Sequence, residues 1–210
     1  MEKLLHSTTT RFGLIRHAQT DWNREKKIQG HSDSALTANG KKQASSWGRR
    51  LFQFPWDRLL ASDTGRALTT AERINAFLNI PLETDPRLRE QDWGDWVSKT
   101  IPQIQTEASQ VLEEQINAGW NFCPPGGESR DSVLKRSQEA LMEAADRYPG
   151  DNLLVVTHEG VVKGLIYHLC GRKFLPTEPR LLQSYRLHWL VFGRQGLQIE
   201  KVNALKLDLI

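Results

Sequence analysis

Cysteine is scarce: the 210 residues contain only Cys123 and Cys170, far apart in the chain. Two such thiols allow at most one disulfide and cannot by themselves supply a zinc site, so both read as unpaired and no metal centre is expected. The sequence also lacks any run of about 20 apolar residues. Its start, Met1 to Arg11, turns polar after Leu4-Leu5, without the apolar core or cleavage site of a signal segment. These absences predict a soluble, cytoplasmic protein with no membrane partner. Charge of one sign is missing as well: 28 Lys and Arg against 25 Asp and Glu leave a net +3. The longest basic cluster, Arg24, Lys26 and Lys27, is interrupted by Glu25, which argues against nucleic-acid binding through bulk charge. No repeat with a period of about 20 to 50 residues and no low-complexity tract is present, which sets aside solenoids, propellers and tails.

What is there is an ordinary globular balance, 39% hydrophobic and 25% charged, at a length where one domain buries roughly 70% of its unfolded surface. A single domain over 1–210 is expected. Phe12-Gly13-Leu14-Ile15 reads as a strand that stops at Arg16-His17, followed by a helix carrying Ala44, Trp47, Leu51 and Phe54 on one face before Pro55. Arg58 to Ala61 is a second strand, and Ala67, Leu68, Ala71, Ile74 and Leu78 mark a second helix. Thr100 to Gly119 reads as one helix in an insertion, around 97–128, that covers the site. Ser129 is placed as N-cap of a long helix ending near Tyr148. Leu153 to Val156, apolar without alternation, reads as a strand covered on both faces. Val161 to Leu169 form a helix stopped by Gly171; Ser184 to Phe192 and Leu197 to Val202 complete the strands. This alternation predicts an α/β fold, a three-layer α/β/α sandwich around a mostly parallel sheet whose edge strands can run antiparallel.

In such sheets ligands bind beyond the carboxyl ends of the strands. Three of the strands run into Arg16-His17-Ala18, Ser62-Asp63-Thr64-Gly65-Arg66 and Thr157-His158-Glu159-Gly160. As neighbours they would bring two imidazoles and two guanidiniums to one edge. Guanidinium forks match phosphoryl oxygens, helix N-termini add N–H groups, and a neutral imidazole among cations is a competent nucleophile toward phosphorus. Phosphohistidine chemistry is the economical reading. His6, His31, His168 and His188 read as ordinary histidines, with His31 alone a candidate for the entrance. Gly126-Gly127 lacks the Lys-Ser/Thr of a P-loop and reads as a turn, so ATP use is not suggested. Trp93 and Trp96 read as packing, with one ring free to wall the pocket.

Leu14-Ile15-Arg16-His17-Ala18-Gln19-Thr20 with Trp22-Asn23 resembles the R-H-G signature of the histidine phosphatase superfamily, which includes cofactor-dependent phosphoglycerate mutases. Further matches follow in the family's order from about residue 12 to 171: Gln29-Gly30, Asp33 to Thr37 with Gly40, Ala61 to Ala67, Leu88 to Trp96, Pro125 to Ser129, and Thr157 to Gly160. The resemblance implies that His17 accepts the phosphoryl group and that Arg16, Arg66 and His158 hold its oxygens. It implies Glu90 as general acid, then as base for the attacking water. A carboxyl group beside bound phosphate suits that task, because like charge disfavours its ionised form. Asn23 and Gln29 are implied as further substrate contacts, with the amides near Glu159 and Gly160 assisting. The phosphoryl transition state is met by positioning and electrostatics, so no metal and no cofactor is implied; the partner is a small-molecule phosphate ester.

The chain departs from the family pattern at Ala18, where Gly is usual, at Val97-Ser98 in place of Glu-Gly, and at Ala35 in place of Pro. These bear on substrate preference more than on reaction type. The compact chain and the Leu88-to-Trp96 stretch favour a phosphomonoesterase over a phosphoglycerate mutase, the alternative within enzymes. A weakly catalytic phosphate-binding or regulatory protein is the alternative outside them, and a phosphatase acting on phosphohistidine or phosphotyrosine of proteins stays open.

Overall fold

The computed structural model describes residues 9–208, so His6 and the Leu4-Leu5 pair lie outside the described residues. Among the described residues six strands form one sheet in the order β3-β2-β4-β1-β5-β6: β1 (Thr10–Arg16), β2 (Arg58–Ala61), β3 (Leu82–Thr84), β4 (Asn152–Thr157), β5 (Arg186–Gly193) and β6 (Gly196–Lys206). The first four run parallel, while β5 is antiparallel to β1 and β6 to β5. The helices are α1 (Asp21–Arg24), α2 (Ala38–Leu51), α3 (Gly65–Leu78), α4 (Ile101–Glu107), α5 (Ser109–Asn117), α6 (Arg130–Arg147) and α7 (Glu159–Leu169). Among the described residues no helix is long and apolar enough to cross a membrane.

Side chains alternate across a strand, and here the alternation sorts them between two cores. Phe12, Leu14, Leu153 and Val155 pack with Leu134, Leu141, Leu165 and Ile166 of α6 and α7. Ile15, Leu154 and Val156 face the other way, onto Trp47, Leu51, Ala67 and Ile74 of α2 and α3. Both faces of the sheet are therefore covered, which is the three-layer α/β/α arrangement, and β4 reads as an unbroken apolar run for that reason.

Several expected elements differ in extent. The helix read through Phe54 ends at Leu51; Phe54 lies beyond it, its ring against Trp56 and Trp189. Its start at Ala38, capped by the Thr37 hydroxyl accepting from Gly40 N–H, precedes the apolar stripe. The helix expected from Thr100 to Gly119 is two, because Ala108 leaves helical geometry at φ −151°. Thr100 caps the first with a capping box. Both pieces turn Ile104 and Leu112 into a small separate core with Trp96 and Phe122, so the broken helix still buries one stripe. The three-residue β3 and the one-turn α1 are too short to carry a periodic signal. Ser129 caps α6 as expected, its hydroxyl accepting from Ser132 N–H.

Candidate active site

Ladder register sets the site. Arg16 lies beside Thr157 and Ala61 beside Val156, so β1 and β4 end level and β2 one residue short of them. The strand pairing continues one step past each end: His17 N–H donates to Thr157 O and Ser62 N–H to Val156 O, both at 2.9 Å. His17, Ser62 and His158 thus leave adjacent strand ends on backbone positions that side-chain changes do not disturb.

The His17 ring is 2% exposed, and its Nδ1 lies 2.8 Å from the Ala18 carbonyl. A carbonyl only accepts, so Nδ1 carries the proton and Nε2 keeps its lone pair. Burial first, then the charges of Arg16 and Arg66, hold this imidazole well below its ordinary value, against the opposing pull of the Ala18 bond. The His158 ring centroid sits 5.2 Å away, edge-on. Its Nε2 meets the Ser62 hydroxyl at 2.9 Å and the Thr64 hydroxyl at 3.2 Å. Burial, then His17, Arg66, Arg16 and Arg136, push its basicity down too. With Nε2 accepting from those hydroxyls, Nδ1 becomes the donor.

Arg66 enters from the first turn of α3, 1% exposed, and gives Nη1 to Ser32 O and Asp33 Oδ1 and Nη2 to Gly30 O. Arg16 gives Nη1 to the Glu159 carboxylate. Among the described residues few buried side-chain nitrogens or oxygens lack a partner. Arg16 Nε, Arg66 Nε, His158 Nδ1 and Gln29 Oε1 are four of them; the other two, Arg50 Nε and Arg73 Nε, belong to α2 and α3. Buried donors left unpaired are costly. Three of them on the residues flanking one nucleophile suit an anion with oxygens in several directions.

Glu90 faces this cradle. Its Oε2 accepts from Gly160 N–H at 3.2 Å and its Oε1 from Gln91 N–H at 2.9 Å. A Cβ on Gly160 would collide with Glu90 Oε1, so glycine here is what lets the carboxyl approach the start of α7. The Gly160 amide, expected to meet substrate, is thereby engaged with the acid.

Sequence reasoning missed Arg136. From α6 it donates to three loop carbonyls, Arg87 O at 2.6 Å and Arg89 O at 2.7 Å through Nη1 and Glu90 O at 3.0 Å through Nη2. Glu128 holds it in place through two bonds, at 2.8 and 2.9 Å. The signal was present in Glu128 of Pro125-Gly126-Gly127-Glu128-Ser129, whose partner, eight residues on, looked like any helical arginine. His31 Nε2 also meets Glu90 O, at 2.9 Å, so it braces the loop rather than lining the entrance.

One cleft of about 310 Å³ takes in Arg16, His17, Asn23, Gln29, Arg66, Glu90, Glu159 and Gly160. His158 lies behind its lining, against His17. Asn23 reaches the cleft while its Oδ1 accepts from Thr20 N–H, closing the cap of α1. Trp93 walls the cleft and Trp96 is buried beneath it. Ala18 is not among the residues with positive φ, so its methyl group is tolerated.

Comparison with known proteins bears on the family and the fold. The profile of the histidine phosphatase superfamily, branch 1, matches residues 12–205. A Salmonella choleraesuis protein named probable phosphoglycerate mutase GpmB is 35% identical over 153 residues, 73% of this chain and 71% of that one. The solved structure of Bacillus stearothermophilus YhfR superposes with a TM-score of 0.86 at 30% identity, covering 94% of this chain and 98% of that one. A mycobacterial glucosyl-3-phosphoglycerate phosphatase, solved with VO3, gives 0.79 at 27% identity, covering 93% and 99%.

Proposed function

The chain belongs to the histidine phosphatase superfamily, and from that membership together with the cleft we propose that it is a metal-independent phosphomonoester phosphatase acting on a small phosphorylated metabolite through a phosphohistidine at His17. The observation that carries this reading is the convergence of Arg16 Nε, Arg66 Nε and His158 Nδ1, buried and without partners, around an imidazole whose Nδ1 is already committed to Ala18.

In this reading His17 Nε2 attacks phosphorus as the P–O bond to the alcohol breaks, and the two guanidiniums and His158 take up the charge spread over the three transferred oxygens. Glu90 delivers its proton to the departing alkoxide. The resulting carboxylate removes a proton from water, which attacks phosphorus from the opposite side; the P–N bond breaks, orthophosphate forms and His17 returns to its neutral state. Positive charge supplied by side chains does here what a metal ion does in other phosphatases. We read the α4–α5 segment, whose Ile104 and Leu112 pack in one cluster with Trp93 and Ile28 of the cleft lining, as the cover of the cleft.

The test is release of inorganic phosphate from p-nitrophenyl phosphate in the presence of a chelator, with acid-labile label on His17 after rapid quenching. His17→Ala should lower turnover by at least about 10⁴-fold; label on another residue, or turnover that needs a metal, overturns the reading. The relatedness to a protein named as a phosphoglycerate mutase keeps a second reading in play, in which the phosphoryl group returns to bound phosphoglycerate. Incubation with 2,3-bisphosphoglycerate and 3-phosphoglycerate separates them: the phosphatase releases phosphate and leaves the phosphoglycerate isomer unchanged.

A further inference from the structure

Above the phosphate cradle the cleft continues between α6 and α7, where Arg130, Lys163 and Phe174 line both it and an adjoining pocket. The Arg130 guanidinium lies between two rings, 4.1 Å from the Phe122 centroid and 4.2 Å from that of Phe174. Lys163 Nζ sits 4.8 Å from the same Phe174 ring and 5.2 Å from Tyr167. Phe174 holds this position at φ +64°, a conformation unfavourable for a bulky side chain. It is kept there by packing on Trp120 and Tyr167. The arrangement is built, since a free loop would relax out of it.

Its electrostatics are unbalanced. Burial alone pulls Arg130 down to about 10, with no carboxylate opposing the shift. Lys163 is lowered by burial first and then by Arg130; the Glu159 charge opposes this, while Arg180 and Arg172 add to it. Glu159 is itself paired with Arg16. Glu178 spends its carboxylate on the N–H groups of Lys173 and Leu175. Lys27, which also reaches the cleft, is paired with Glu25 at 2.9 Å. Half-buried like charges that face each other without a counterion are unfavourable until an anion arrives.

We propose that Arg130 and Lys163, set around the Phe174 ring, form a subsite for a second anionic group of the substrate, so that the esters this chain prefers carry a carboxylate or a second phosphate besides the phosphoryl group transferred to His17. The proposal rests on the phosphatase reading for the placement of the reacting phosphate, and deepens it by naming the substrate class. Trp93, Ile28 and Val133 in the same lining offer apolar surface for the carbon skeleton between the two anions.

Matched esters test it. In 6-phosphogluconate against sorbitol 6-phosphate a carboxylate replaces a CH₂OH group; in fructose 1,6-bisphosphate against fructose 6-phosphate a second phosphate replaces a hydroxyl. The expected result is a kcat/KM ratio of about tenfold or more in favour of the member with the second anionic group in at least one pair, falling below about threefold in both Arg130→Gln and Lys163→Gln. Which pair responds identifies the second anion. The same ratio is read as affinity by calorimetry on His17→Asn, which needs no turnover. A ratio below about threefold for both pairs by both readouts, or one retained in either variant, overturns the subsite. Absence of hydrolysis of every ester, with the calorimetric ratio intact, would instead count against the phosphatase reading alone.

Discussion

The floor of the cleft and the wall that faces it hold their charged groups by different means. On the floor, His17 and His158 extend strands whose ladder bonds fix them, and their rings are locked by a backbone carbonyl on one side and two hydroxyls on the other. Across from them, Glu90 sits in a loop between the short 3₁₀ turns Pro86–Leu88 and Gly94–Trp96 and depends on Arg136, a side chain from α6, to gather the carbonyls of residues 87, 89 and 90. The floor is therefore robust to single substitutions outside the reacting residues, whereas the acid can be displaced by removing one guanidinium that never touches substrate.

Leaving-group dependence breaks or confirms this contrast, with the largest expected effect. Glu90→Gln should lower kcat/KM for alkyl phosphates by about 10²–10⁴, but far less for p-nitrophenyl phosphate, whose phenolate departs without a proton. Arg136→Gln should reproduce the bias at about 10- to 100-fold for alkyl esters, because it loosens Glu90 while leaving the cradle in register. Equal losses on both ester types would mean that Arg136 serves the fold as a whole, and the contrast between floor and wall would fail. Partial rescue by Arg136→Lys, which keeps the charge but not the fork, should be slight.

The same division explains what could be read from sequence. Floor residues sit directly after apolar runs, so Arg16-His17, Ser62 to Arg66 and Thr157-His158 announce both the strand and the chemistry at its end. The central strands and α3, α6 and α7 were legible because each buries one continuous stripe. Arg136 and Glu128 were not, since their importance lies in a pairing across a loop that no periodicity encodes. Nor was the break at Ala108, because the apolar stripe continues through it. The rim cations gain their meaning only when Phe174, more than 40 residues beyond Arg130, is folded between them.

Acid sharpens the comparison through the buried imidazoles. His17 and His158 are held well below 6.5, and His188, buried in β5 with Nδ1 accepting from Asn203 N–H, is lowered to about 4 by burial first and then by Arg186. Below pH 6.5 the unfolded chain binds protons at these rings while the folded chain does not, so stability rises with pH in that window and is lost on acidification. Each ring that stays neutral contributes a slope of about 1.4 kcal/mol per pH unit. The urea midpoint should therefore fall steadily from pH 6.5 toward 4, and His188→Gln should flatten the fall by one proton's share without moving the pH–rate profile. For activity the sign is opposite in consequence: a nucleophile that remains neutral keeps working, and the acid limb of kcat/KM should lie well below 6.5. A limb at 6.5 would mean that the floor does not hold His17 as its burial and neighbours require.

The two departures from the family's glycines give the smallest effects and opposite signs. Ser98, exposed in the loop past the acid, stands at φ +68° while its N–H donates to Ile28 O at 2.9 Å. A side chain there costs about 1–2 kcal/mol of backbone strain, of which glycine would recover all but the roughly 0.5–1 kcal/mol it adds to the freedom of the unfolded chain. Ser98→Gly should thus stabilise by about 0.5–1 kcal/mol, raising Tm by about 1–4 °C in a domain of this size. Ala18 sits on the floor with negative φ, fully buried, its N–H donating to the Thr70 hydroxyl at 3.1 Å. Glycine relieves no strain there, adds the same unfolded-state freedom and removes a packed methyl group, so Ala18→Gly should destabilise by about 1 kcal/mol or more. Thermal melts of the two variants side by side would show the wall carrying strain that the floor does not; shifts of the same sign would place both residues in equivalent backbone and erase that difference.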